Sequence, residues 1–227
     1  MILGMQNSIL PDSGKPPPES SVADRTVARG LSERYAAARQ EVAGLMTAAR
    51  EIMGESGSVD PRVSEIIGRA GSSNQAFYRH FRSKDELLLA VIDEGLLELV
   101  EHLEARMSAA RSARAKVERW VAGIARQATN SDAARATRPF VANRARLAER
   151  FPDEERRAVN LLMAPLERAI TEGTDTGEFD SADPAHDAEA IYHLAMGWMQ
   201  SRMFMDTGAG DSDLGRLTAF AMRGLGA

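Results

Sequence analysis

A chain of 227 residues, 44% of them hydrophobic, is long enough for one large domain or two small ones and apolar enough for a packed core. It contains no cysteine, which excludes a disulfide framework, a thiolate metal site and a cysteine nucleophile. The net charge is −5, and aromatics are few beside Ala, Leu and Met, a balance that favours helices over sheet.

No apolar run approaches the roughly 20 residues that span a bilayer. The start of the chain lacks the basic and then apolar pattern of a signal peptide, so a cytoplasmic location with no membrane partner is expected. In chain order, residues 1–30 are polar and carry Pro16, Pro17 and Pro18, which predicts a disordered N-terminal arm. Such an arm is either a solvated tail or, through Arg25 and Arg29, a contact for phosphates or a minor groove.

A first helix is predicted from Ser32 to Met53, with the stripe Val42, Leu45, Met46, Ala49, Ile52 and Met53, closed by Gly54 and Gly57. Asp60 and Pro61 suit an N-cap and first position for a second, short helix. Its apolar face is Val63, Ile66, Ile67 and Ala70, and Gly71 stops it. A third helix spans about Ser73–His80, turning Ala76 and Phe77 inward and showing Asn74, Gln75, Tyr78, Arg79 and His80. Ser83 caps a fourth helix reaching about Met107. Two short helices joined by a tight Gly-containing turn make a helix-turn-helix. From Arg62 to Lys84 five basic residues face one acidic residue, a local +4 on an acidic chain, which points to an anionic partner at this place.

The string Ala70-Gly71-x-Ser73-x-x-x-Phe77-Tyr78-x-His80-Phe81-x-Ser83-Lys84-Asp85-Glu86-Leu87 resembles the DNA-binding domain of TetR-type (tetracycline-repressor-like) bacterial regulators, over roughly Val42–Leu89. The resemblance implies an all-α fold. An N-terminal three-helix helix-turn-helix domain (31–83) would precede a larger helical effector-binding and dimerisation domain (84–227), with about nine helices in all. The expected function is a ligand-responsive, DNA-binding transcription regulator, a repressor in the first instance. Asn74 and Gln75 are candidates to read base edges, because amides pair bidentately with adenine. Arg79 reads guanine or binds phosphate. Ser73, Tyr78, His80 and Lys84 are candidate phosphate contacts, with a helix C-terminal cap as the alternative for His80, and Arg62 is a further candidate DNA contact.

Beyond Ala113 the predicted helices are 113–129, 134–150, 152–173, 183–205 and 211–224, with Pro139 and Pro165 inside helical runs. In 183–205, Ala188, Ile191, Tyr192, Ala195, Met196, Met199 and Met203 form one apolar set and Leu194 and Trp198 another. That helix is therefore expected to be buried on more than one face. The segment 183–224 is the expected homodimer seam, against a plain monomeric core. A dimer would meet an inverted-repeat, palindromic operator in double-stranded DNA. Trp120, Phe140, Met163, Tyr192, His193, Met196 and Trp198 are candidates to line a pocket for a small apolar or amphipathic effector, though each also reads as ordinary core.

Catalysis is not expected. His80, His102, His186 and His193 are scattered, and no zinc-protease, phosphate-loop or nucleophile-elbow motif is present. Asp183, His186 and Asp187 resemble a metal cluster but suit a helix N-terminus better. No cofactor is expected. The competing reading is a helical interaction or architectural protein without sequence-specific DNA binding.

Overall fold

The computed structural model describes residues 21–205 and 211–227. All regular structure among them is helical, in ten helices. These are α1 (Val22–Ser56), α2 (Val63–Ala70), α3 (Asn74–His80), α4 (Lys84–Ser108) and α5 (Ala113–Thr129), followed by α6 (Ser131–Ala142), α7 (Arg144–Arg150), α8 (Pro152–Asp175), α9 (Pro184–Phe204) and α10 (Asp211–Gly224). The described residues form two units, divided between Glu41 and Val42.

In the first unit the helix begins ten residues earlier than the sequence predicts. Ser21 and Asp24 explain this. The Asp24 amide donates to Ser21 Oγ at 3.1 Å, and the Ser21 amide donates to Asp24 Oδ2 at 3.1 Å. Such a reciprocal pair satisfies two of the orphan donors at a helix start. The predicted disordered arm is therefore helical over Val22–Gly30, while its residues 1–20 lie outside those described. Val27, Leu31 and Tyr35 on this stretch are exposed.

The second unit has two hydrophobic cores. The smaller gathers Leu45, Met46, Ala49 and Met53 of α1, Ile66 of α2, Phe77 of α3, and Leu87, Leu88 and Val91 of α4. Phe81, just past α3, completes it. The larger is built around α5, which packs against α4, α6, α8, α9 and α10. Its centre is Trp120, fully buried, whose indole N–H donates to the Leu162 carbonyl at 3.0 Å. Two glycines permit its close crossings. A Cβ on Gly123 would sit 2.3 Å from Leu103 Cδ2, and one on Gly173 would sit 2.2 Å from the Phe179 ring. The Glu178 carboxylate accepts the amides of Ala113 and Arg114, both at 3.1 Å, and so caps α5 from a distant part of the chain. Helix α4 takes part in both cores, with Leu87–Val91 in the smaller and Leu103 and Met107 in the larger.

Two predicted boundaries move. Asp60 does not cap α2. Arg62 occupies that position, its amide donating to Glu65 Oε2 at 3.1 Å, and Pro61 lies before the helix rather than in its first turn. The segment predicted as one helix over 134–150 is two. Asn130 Oδ1 accepts the Ala133 amide at 3.0 Å, which starts α6 at Ser131. Asn143 then interrupts the run, its side-chain amide donating to the Pro139 carbonyl at 2.7 Å. Ten helices replace the nine expected for this reason.

Candidate nucleic-acid interface and ligand cavity

The helix-turn-helix is assembled by caps and one aromatic anchor. Gly71 ends α2 in the left-handed region at φ 61°, and the Ser72 amide donates to the Ile67 carbonyl at 3.0 Å, so the chain reverses within one turn. Ser73 Oγ accepts the Ala76 amide at 3.1 Å and starts α3; Ser83 Oγ accepts the Glu86 amide at 3.2 Å and starts α4. Phe77 is fully buried, with the Tyr78 ring edge-on at 5.1 Å and Phe81 at 5.8 Å. With Ala76 and Phe77 pinned inward, helical geometry turns Asn74, Gln75, Tyr78 and Arg79 out along one face. All four are exposed, as is Ser73; Tyr78 keeps 60% of its surface open although it is aromatic. His80 is half-buried in the last turn of α3.

The remaining basic residues divide. Arg62 projects beside Glu65 at 3.9 Å with 83% of its side chain open. Arg69 turns back to α1, meeting Glu55 at 2.9 Å and Glu51 at 3.4 Å, and these carboxylates raise its affinity for its proton. Lys84 is bound by Asp60, whose other oxygen faces Arg146 at 3.8 Å; the ammonium beside it holds the Asp60 carboxyl below the usual range. Arg69 and Lys84, two of the cations that make the local +4, are thus turned toward carboxylates of the protein itself.

A cavity of about 490 Å³ lies in the second unit, bounded by α1, α4, α5, α6, α8 and α9. Its wall is mainly apolar, with Val91, Ile124, Leu162 and Met199 buried at its base. Two of the seven sequence-predicted pocket residues, Phe140 and Met196, line it. Trp120 fills the core with its only polar atom already bonded. Tyr192 is buried beside Trp120 and accepts a hydrogen bond from Arg144 at 3.2 Å, and burial pushes its phenol up. Met163 and Trp198 are half-buried against the larger core outside the cavity lining. His193 lies on the open side of α9, 3.7 Å from Glu189. Sequence reasoning missed Arg50, Gln127 and Thr137 in the wall. Gln127 had a legible signal, since it falls three residues after Ile124 on the stripe Val117, Trp120, Val121, Ile124.

At the start of α9, Asp183 accepts the His186 amide at 3.1 Å and Asp187 accepts the Ser181 hydroxyl at 2.5 Å, so both carboxylates serve local structure. Among the described residues no group of His, Asp and Glu is arranged to hold a metal ion, and no helix is long and apolar enough to cross a membrane.

Residues 45–91 match the model for bacterial regulatory proteins of the tetR family. No curated protein matches the chain. Solved structures do. A TetR transcription regulator from Haloarcula marismortui is 20% identical, with a TM-score of 0.67 over 82% of this chain and 96% of that one. A TetR-family transcriptional regulator from Streptomyces coelicolor is 16% identical, with a TM-score of 0.68 over 83% and 97%. The regulator FadR from Bacillus subtilis, in complex with stearoyl-CoA, is 17% identical, with a TM-score of 0.61 over 80% and 96%. At these identities the likeness is one of fold. Residues 45–91 thus match the tetR-family helix-turn-helix, and most of the chain shares the fold of these regulators.

Proposed function

We propose that the protein is a ligand-responsive transcription regulator, acting in the cytoplasm as a repressor and by binding rather than catalysis. The observation that carries this is the exposed polar face of α3, Asn74, Gln75, Tyr78 and Arg79, held by a buried Phe77. Asn74 and Gln75 read base edges, and Arg79 reads guanine or holds phosphate. Ser73, Tyr78 and Arg62 fix the register on phosphates, with His80 and Lys84 at the edge of that contact. Ser73 Oγ is already an acceptor in the α3 cap, so it approaches phosphate as an O–H donor. Lys84 has to share its ammonium with Asp60.

The working form is a homodimer through α9 and α10. Phe204 and Phe220 on these helices and Met205 just past α9 are exposed, and a Cβ added at Gly197 or Gly215 would meet none of the described residues within 4 Å. An apolar surface of this kind, dotted with glycines that permit close approach, suits a second copy. Two copies present two α3 helices about 34–36 Å apart, or a multiple of that, so the operator is an inverted repeat.

The cavity is the effector site, and FadR with its bound stearoyl-CoA is a fold neighbour that carries a lipophilic ligand. Val91 supports the coupling, because it belongs to the smaller core and also lines the cavity; Ile92 and Phe140 pack on that core and line the cavity too. A molecule that binds the two states of this shared wall unequally shifts the spacing of the two α3 helices.

Gel shifts with DNA from upstream of the protein's own gene, titrated with salt, test the proposal. Affinity should fall steeply with salt while sequence preference persists. Weak binding without preference at any salt concentration would favour the architectural reading.

A further inference from the structure

The chemistry of the cavity wall narrows what it binds, on the reading that this cavity is the effector site. Its polar side chains fall into two groups. Glu98, His102, Arg126 and Asn130 are exposed and form the rim. Arg50, Gln127 and Thr137 are half-buried. Arg50 is the one cation of this inner group; its terminal nitrogens meet Glu94 and Glu98, the latter at 3.7 Å, while its Nε is buried without an acceptor among the described residues. An anion that passed the rim, where Arg126 lies, to the inner wall would therefore lose its hydration beside a guanidinium whose charge two carboxylates already balance, which is costly.

The other inner pair is neutral. The Thr137 hydroxyl donates to the Gln127 amide oxygen at 2.9 Å, across the α5–α6 packing. That bond uses the acceptor end of the amide and turns its two N–H donors away from Thr137. A half-buried amide in an apolar wall gains from an acceptor placed against those donors. Gln127 also occupies a position on the inward stripe of α5 where an apolar residue would simply pack.

We propose that the cavity takes a neutral, compact and largely apolar molecule that bears one acceptor oxygen, received by the Gln127 side-chain amide. Thr137 acts as the positioning residue that holds that amide in register. Carboxylates are poor ligands for this wall, and a long charged carrier would keep its charged part outside the rim.

The test uses the full-length protein without DNA and three probes of one shape. These are 2-acetylnaphthalene, with a carbonyl acceptor; 2-isopropenylnaphthalene, its hydrocarbon isostere; and 2-naphthoate, its anionic counterpart. Titration calorimetry should give the order ketone, hydrocarbon, naphthoate, with the ketone about three- to tenfold tighter than the hydrocarbon, the range of one net hydrogen bond. Gln127→Leu should bring that ratio to about one while the hydrocarbon affinity stays within about twofold, which also shows that the variant is folded. Thr137→Val should lower the ratio part of the way. The proposal is overturned if naphthoate binds tightest, if Gln127→Leu keeps the ketone preference, or if neither neutral probe binds up to its solubility limit. Release of DNA by the same probes is read separately. Binding without release counts against the effector reading and leaves the assignment of Gln127 in place.

Discussion

The helix-turn-helix and the cavity region are both helical and share α4, yet they are specified in different ways. The first is a short contiguous stretch in which each turn has a local cause: Gly71 for the reversal, Ser73 and Ser83 for the helix starts, Phe77 for the inward anchor. Its proposed working residues are those left facing outward once Phe77 is fixed. The second is a space defined by residues from Arg50 to Met199, and it exists only where six helices fail to fill the volume between them. Local chemistry therefore sets the proposed DNA-reading surface, and long-range packing sets the cavity.

The largest expected effect breaks the first region at its anchor. Phe77→Ala removes a fully buried ring and should cost about 3–5 kcal/mol, with loss of DNA binding ahead of the larger core. Chemical denaturation followed by Trp fluorescence separates the two, because Trp120 and Trp198 both belong to the larger core. Coincident loss of both regions would show that the smaller core has no independent stability.

The second region should break at its crossings instead. Gly173→Ala places a Cβ 2.2 Å from Phe179 and 2.9 Å from the Ala113 Cβ, so overpacking of about 1–3 kcal/mol is expected in thermal unfolding. Operator affinity of the protein that remains folded should be near normal; a selective loss of DNA binding would contradict the division between the regions.

Within α3 the proposed roles separate by sequence dependence. Gln75→Ala should cost about 1–3 kcal/mol against its preferred base pair and little against others. Tyr78→Phe should weaken all sites alike. Binding measured against a panel of single-base operator variants decides it, and the reverse pattern would exchange the two roles.

The cap is a smaller lever. Ser73→Ala leaves the Ala76 amide without its acceptor and should cost about 1 kcal/mol by denaturation, while Ser73→Gly costs only a few tenths. Smallest is the acid dependence of the Asp60–Lys84 pair. The folded-state pKa of Asp60 is depressed, so its contribution is present above the unfolded carboxyl value of about 3.9 and is lost as pH falls through the folded one. Comparing Asp60→Asn with the parent should show a difference near neutrality that disappears in acid.

The same contrast explains what could be read from the sequence. The spacing of Val63, Ile66, Ile67 and Ala70 and the string from Ala70 to Leu87 locate α2, α3 and the start of α4 within a residue or so. The helical, Ala-rich composition beyond Ala113 and the breaks within it also place α5 and α8–α10 nearly at their observed limits. Boundaries escaped where side chains made them. Ser21 with Asp24 extends α1, Glu65 starts α2 at Val63 without Asp60, and Asn143 divides α6 from α7. The cavity was the least legible part. An apolar residue at helical spacing looks the same whether it lines a void, as Met196 does, or fills one, as Trp120 does. Only the volume left between α1, α4, α5, α6, α8 and α9 distinguishes them.

The central proposal, a dimer that reads an inverted repeat through α3, is tested most directly by selection of duplexes from a random-sequence pool with the full-length protein. The predicted result is enrichment of a palindrome whose half-sites lie about one helical turn, or a multiple of it, apart, with one position changing when the selection is repeated with Gln75→Ala. Enrichment of no sequence, or of an asymmetric single site that Gln75→Ala leaves unaltered, would contradict it.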